Sequence, residues 1–254
     1  MKRIAITRPR KLLPEAEALV RSRGLEPVPA PMMELVPRED GALEQFFKRL
    51  EAGEVDTVVI TSQNGVGFIF DRAPDAMALK DRLNRVEVIS IGPKTSQALE
   101  EHGVRARRMP AEYSSEGLVR DFRLPGRRVE VLRSDHGNPV LISGFQKGGA
   151  SVREVIIYDI VPLAGDAQAA FVREALSGRI DAFTFTSTMT AKSLLAMGES
   201  LGVLDDLKRA INDRKVAVIG HPTADFLKAS GIRIDAVPER FTFEDMIDAL
   251  LNVL

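Results

Sequence analysis

Cysteine is absent from the 254 residues. That excludes disulfides, thiolate nucleophiles, cysteine-based zinc sites and iron–sulfur ligation. Tryptophan is absent too, and aromatic residues make up only 6%, which argues against a stacking surface for nucleic acid. Neither sign of charge is in excess. The 35 Lys and Arg face 36 Asp and Glu, for a net charge of −1, so there is no basic footprint for DNA or RNA. No run approaches the roughly 18 consecutive apolar residues of a membrane span. The opening MKRIAITRPRK is charged and lacks the apolar stretch of a signal peptide, so we expect a cytoplasmic protein. Phosphate-loop fingerprints such as GxGxxG are missing, which disfavours a nucleotide cofactor. His102, His136 and His221 show no metal-ligand spacing.

What remains is an ordinary globular composition, 44% hydrophobic and 28% charged, long enough for one or two domains. The chain repeats itself. Arg8 and Arg133 both follow strand-like runs, Gly24 matches Gly149, Pro37 matches Pro162, and Ile60-Thr61-Ser62 matches Phe185-Thr186-Ser187, each pair 125 residues apart. Further on, Gly92-Pro93-Lys94-Thr95 matches Gly220-His221-Pro222-Thr223. Gly103 matches Gly231, Pro110 matches Pro238 and Ser114 matches Thr242, now 128 apart. An internal duplication accounts for this, with too long a period for a solenoid.

Short β-branched runs at Ile4–Thr7, Thr57–Thr61, Val86–Ile91, Val129–Leu132, Val152–Ile157, Ala182–Thr186, Val216–Ile219 and Ile234–Val237 predict strands. They are near-continuous rather than alternating, as strands buried on both faces of a parallel sheet should be. Helical patterns lie between them, at Thr95–His102, Ser115–Phe122, Thr223–Ser230 and Phe243–Leu251. Alternation of strand and helix predicts an α/β fold with doubly wound parallel sheets. The segments Pro29–Pro37 and Ile156–Pro162 read as extended, and both end in Val-Pro.

The repeated polar residues share one location. Arg8, Thr61-Ser62, Gly92, Arg133-Ser134, Thr186-Ser187 and Gly220 all follow the last apolar residue of a predicted strand. The carboxyl ends of parallel strands form the edge where ligands bind. Helix starts follow there, with unpaired N–H groups and a positive dipole end. Ser62, Ser187 and Thr188 can cap those helices, and Pro93 and Pro222 suit first helical positions, which places Thr95 and Thr223 in first turns. Taken singly, each Ser or Thr is explained by capping. Two domains presenting the same capped edge would instead make a donor-lined cleft for a ligand with several carboxylates or phosphates. His221 belongs to the same turn, His102 reads as a helix C-terminal residue, Tyr158 as a half-buried interface residue, and Tyr113 as packing.

The strand-end Thr-Ser pairs, IGPKTSQAL and VIGHPTADFL, the opening ITRP and the mid-chain Tyr158 resemble the uroporphyrinogen-III synthase family over essentially the whole chain. The resemblance implies two flavodoxin-like domains joined by a two-stranded β connection. Residues 1–35 with 163–254 would form a discontinuous domain, 38–157 an inserted one, and 29–37 with 156–162 the connecting strands. It implies cyclisation of the linear tetrapyrrole hydroxymethylbilane to uroporphyrinogen III, with inversion of ring D and loss of water. The substrate carries eight carboxylates and the reaction uses no cofactor. A monomer is expected, receiving its substrate from hydroxymethylbilane synthase by transient hand-over. The resemblance assigns Tyr158 to assisting hydroxyl departure without being essential. It assigns Arg8, Ser62, Thr95, Ser187, Lys215, Gly220 and Thr223 to substrate binding. Asn64 departs from relatives that carry Arg there, and Gln63 stands where Pro is frequent; Arg133 is the expected replacement contact, with Lys94 an additional candidate. Two alternatives stand beside the enzyme: a non-catalytic two-lobed module that closes on a polyanion, and an inactive paralogue of the synthase.

Overall fold

The computed structural model describes residues 1–254. Its strands are β1 (Arg3–Ile6), β2 (Glu26–Pro29), β3 (Met33–Pro37), β4 (Thr57–Ile60), β5 (Glu87–Ser90), β6 (Arg128–Ser134), β7 (Ser151–Pro162), β8 (Ala182–Phe185) and β9 (Lys215–Val218). The helices are α1 (Leu13–Ser22), α2 (Ala42–Glu51), α3 (Gln63–Asp71), α4 (Ala76–Leu83), α5 (Pro93–Glu101) and α6 (Ser115–Asp121). They continue as α7 (Val140–Lys147), α8 (Asp166–Leu176), α9 (Thr188–Ser200), α10 (Leu204–Asn212), α11 (His221–Ala229) and α12 (Phe243–Leu251). The chain divides into two compact units, Met1–Leu35 with Val161–Leu254, and Val36–Ile160.

The first unit holds a parallel sheet in the order β2-β1-β8-β9. Its strands are short and mostly apolar after their first residue, and every residue of β8 is buried. One face packs Phe171, Phe183, Phe185 and Leu194. The other packs Ile4, Ile6, Leu13, Met246 and Ile247. Burial on both faces is why the strands read as continuous hydrophobic runs.

The second unit holds a sheet in the order β3-β7-β6-β4-β5, parallel from β7 to β5. β3 runs against β7, with the Arg38 N–H donating to Ile157 O at one end and Leu163 N–H to Met32 O at the other. Helix α2 shows how local pattern becomes packing. Leu43, Phe46, Phe47 and Leu50 recur at helical spacing, and all four are buried.

Strand exchange between the sequence halves explains both sheet orders. Ala217 bridges Ala236 beside β9, as Ile89 bridges Arg108 beside β5. The first unit therefore joins the opening strands of the first half to the closing strands of the second, and the other unit does the reverse. Ile234–Val237, expected as a strand, contributes only the single bridge at Ala236. β7 is one continuous strand of 12 residues, where the sequence suggested a strand followed by a separate extended segment.

Candidate functional site

In each sheet the parallel strands point one set of carboxyl ends the same way, and helix starts gather there. In the second unit, Ser62 ends β4 and caps α3, its Oγ accepting from Asn64 N–H at 3.1 Å and Gly65 N–H at 3.4 Å. Tyr158 leaves β7 beside it, and its hydroxyl lies 3.0 Å from the same Oγ. β6 and β7 pair Ser134 directly with Tyr158. The phenol is buried, with the Phe68 ring 5.2 Å away. Burial pushes its pKa above the usual tyrosine value, opposed by hydrogen bonds from Ser62 and Ser134.

Beside this pair, Gly92 caps α5 in extended conformation and Pro93 opens the helix. Thr95 follows in the first turn and is only 4% exposed. The other unit repeats the arrangement. Gly220 caps α11, Pro222 sits in its first turn, and Thr223 is also 4% exposed. Neither threonine hydroxyl makes a hydrogen bond within the protein, and neither oxygen is fully shut away from solvent. Ser187 caps α9 through Thr190 N–H at 3.1 Å.

Arg8 follows β1 on the same edge of the first unit. Its guanidinium lies 4.6 Å from the Phe243 ring centre, over the first residue of α12. Its buried Nε has no hydrogen-bond partner. Burial lowers its pKa from an already high value, partly offset by the charge of Glu15, so the side chain stays cationic. A half-buried cation without a bonded acid beside a helix start is a ready acceptor for an anion.

Two expected contacts stand elsewhere. Lys215 is the first residue of β9, at the amino end of the strand, and its ammonium pairs with Asp235 at 3.5 Å. Four residues of strand, at about 3.3 Å each, separate it from the carboxyl edge. Arg133 does reach the edge, yet its guanidinium is already spent. Nη2 lies 2.5 Å from Glu154, Nη1 donates to Asn138 O at 2.6 Å, and the side chain passes over Gly137, where a β-carbon would come within 2.4 Å of Arg133 Cδ. It clamps the loop after β6 instead of offering a free cation. Lys94 is exposed in the first turn of α5.

Sequence reading missed Tyr113 and Phe241. Both project at these edges, over Gly92 and Gly220 respectively, and both are exposed. Their separation by the same 128 residues as the glycines was the signal. His221 is exposed and meets Phe241 edge-on at 5.8 Å. No group of His, Asp and Glu side chains is placed to hold a metal ion, and no helix is long and apolar enough to cross a membrane.

The sequence matches the family described as uroporphyrinogen-III synthase HemD over residues 14–248. The chain belongs to the uroporphyrinogen-III synthase family. A uroporphyrinogen-III synthase of Chlorobaculum parvum is 28% identical, covering all of both chains. A Methanothermobacter thermautotrophicus protein, provisionally named as such a synthase, is 32% identical over 97% of this chain and 96% of its own length. In fold, the chain is similar to a mutant uroporphyrinogen III synthase of Thermus thermophilus, with TM-score 0.69 and 21% identity over the full length of both. Membership in the uroporphyrinogen-III synthase family agrees with two α/β units built on parallel-dominated sheets, and it points to a lyase.

Proposed function

We propose that the chain converts hydroxymethylbilane into uroporphyrinogen III. The observation that carries this reading is the duplicated carboxyl edge: in both units a glycine-capped helix start holds a nearly buried threonine whose hydroxyl has no partner. Such an edge suits carboxylates, and each helix end contributes about 0.3–1 kcal/mol toward an anion. Arg8, Ser62, Thr95, Ser187, Gly220 and Thr223 are the proposed donors to substrate carboxylates. Arg133 and Lys215, already paired with Glu154 and Asp235, are left out of this proposed set.

In the reaction, the C–O bond of the hydroxymethyl group breaks as electron density from its pyrrole expels the hydroxyl. The methylene so released bonds to the bridge-bearing carbon of ring D; the older bond from that carbon to the ring C methylene then breaks, and that methylene bonds to the free α-carbon of the now inverted ring D, which loses its proton. Ser62 and Tyr158 supply the proton at the first step. At rest the phenol donates to Ser62 Oγ at 3.0 Å, the oxygen that also accepts from the Asn64 and Gly65 amides. In the proposed step that proton turns to the departing hydroxyl, and the proton lost at ring closure restores it, so one water is released. Because the pyrrole itself drives departure, the chief task is orientation, which supplies several kcal/mol without a strong acid.

The test is to mix the protein with freshly prepared hydroxymethylbilane and resolve the uroporphyrinogen isomers. Isomer III in excess supports the reading. Isomer I alone rejects it, and tight binding without turnover would identify a non-catalytic module or inactive paralogue.

A further inference from the structure

Each unit carries an exposed aromatic ring at the same repeat position. Tyr113 and Phe241 are 58% and 53% exposed. Each directly precedes a helix cap, Ser114 of α6 and Thr242 of α12. A residue at that position commonly packs down on its own helix as a hydrophobic staple, which would bury it. Both rings instead keep one side open and rest the other against a neighbouring glycine cap. A β-carbon on Gly92 would lie 3.4 Å from Tyr113 Cγ, and one on Gly220 3.4 Å from Phe241 Cδ1. The same glycines open the turns that hold Thr95 and Thr223, whose hydroxyls have no protein partner although the residues are 4% exposed.

Each edge thus sets an apolar ring face beside hydrogen-bond donors and a helix dipole. An aliphatic polyacid would satisfy the donors and leave the ring wet. An unsubstituted arene would do the reverse. A planar, electron-rich ring that carries carboxylates on short arms satisfies both, since stacked aromatic faces attract and the acids reach the helix start. We propose that Tyr113 and Phe241 each form the wall of a ring-binding subsite, stacking on one pyrrole of an acid-bearing oligopyrrole. This rests on the function proposed above and adds to it the part of the substrate that each wall touches.

The composition supplies a direct probe. Tyr113 and Tyr158 are the chain's 2 tyrosines, and tryptophan is absent. In Tyr158→Phe, all tyrosine fluorescence comes from Tyr113. A second reporter, Tyr113→Phe with Tyr158→Phe and Phe241→Tyr, places the lone tyrosine on the other wall. Each is titrated with a monopyrrole bearing one acetate and one propionate, and separately with succinate. Saturable quenching by the pyrrole and none by succinate is expected for both reporters. Equal response to the two ligands, or no response to the pyrrole, overturns the subsites.

Kinetics give the second readout. Tyr113→Ala and Phe241→Ala should each raise KM for hydroxymethylbilane roughly two- to tenfold with kcat little changed, as lost ring stacking requires. Tyr113→Phe and Phe241→Tyr should restore it. Wild-type KM in both alanine variants, with melting temperatures unchanged, refutes the proposal while leaving the synthase reading intact. Wild-type protein that makes no isomer III sinks that reading instead, and the fluorescence titration still decides whether the walls bind pyrroles.

Discussion

The hydroxyl of Tyr158 lies 3.0 Å from Oγ of Ser62, and that serine also caps α3. One side chain therefore both closes a helix and fixes the direction of a phenol proton. Tyr158→Phe should slow turnover by about 10²-fold, the lower end of general-acid effects, and isomer III should remain the product. A folded Tyr158→Phe protein with no activity would show that the phenol carries more of the chemistry than orientation does.

Thr95 and Thr223 spend their hydroxyls on nothing within the protein. Replacement by the isosteric valine should leave the melting temperature essentially unchanged, because no intramolecular hydrogen bond is lost. Steady-state rates should fall in each single variant and further in the double. Unimpaired rates in both would reduce these residues to helix-start packing.

Arg8 is a half-buried cation resting on Phe243. Arg8→Met relieves a desolvation cost without orphaning an acid, so thermal stability should hold or rise. KM for hydroxymethylbilane should increase more than kcat falls if the guanidinium grips a carboxylate throughout the reaction. A loss mainly in kcat would assign it to the transition state.

Arg133 behaves oppositely. Its buried side chain pairs with an exposed Glu154 and donates to the Asn138 carbonyl, so Arg133→Ala should cost about 1–3 kcal/mol, the scale for leaving a hydrogen-bond partner unsatisfied. Urea melts measure this. At temperatures where the variant stays folded, KM should match wild type. A raised KM in fully folded protein would return Arg133 to the substrate.

Acid and alkali should act through different residues. Arg128 beside Asp56 holds that carboxyl at about 2, below the usual 3.8. The stabilisation is complete above the unfolded value and is lost as pH falls through the folded one. Asp56→Asn should therefore flatten the decline in stability between about pH 4 and 2. Tyr158 has the raised pKa, so its contribution is complete below the unfolded value near 10 and is lost as pH climbs past it. In Tyr113→Phe, absorbance at the phenolate band should titrate Tyr158 alone, with a midpoint above 10. A midpoint at or below 10 would mean the ring is solvated.

Much of this was readable in the residues themselves. Strand positions followed from apolar runs, and Gly103 and Gly231 adopt the left-handed helix stops that their spacing required, with φ of 74° and 84°. Gly92, Thr95, Gly220 and Thr223 fall on the helix starts their repeat spacing indicated. What the residues alone did not show has a common cause. The partners of Arg133 and Lys215 are Glu154 and Asp235, about 20 positions onward, and only sheet register brings them together. Lys215 also shows that adjacency to a strand does not say which end of it matters. Ile234–Val237 had the composition of a strand and does lie along β9, but its pairing there is confined to the stretch around Ala236. Tyr113 looked like core because aromatic residues usually are, and its exposure depends on how the loop crosses Gly92.

The exchange of strands between halves bears on how the protein is made. Every residue of the unit Val36–Ile160 has been translated well before the C-terminus emerges. β1 and β2 are synthesised first and must wait for β8 and β9 before their sheet can close. At roughly 5–20 residues per second of synthesis, that wait lasts several seconds or more. During it, the edge of β1 that will meet β8 stands open, which makes this early segment the stretch most in need of chaperone protection.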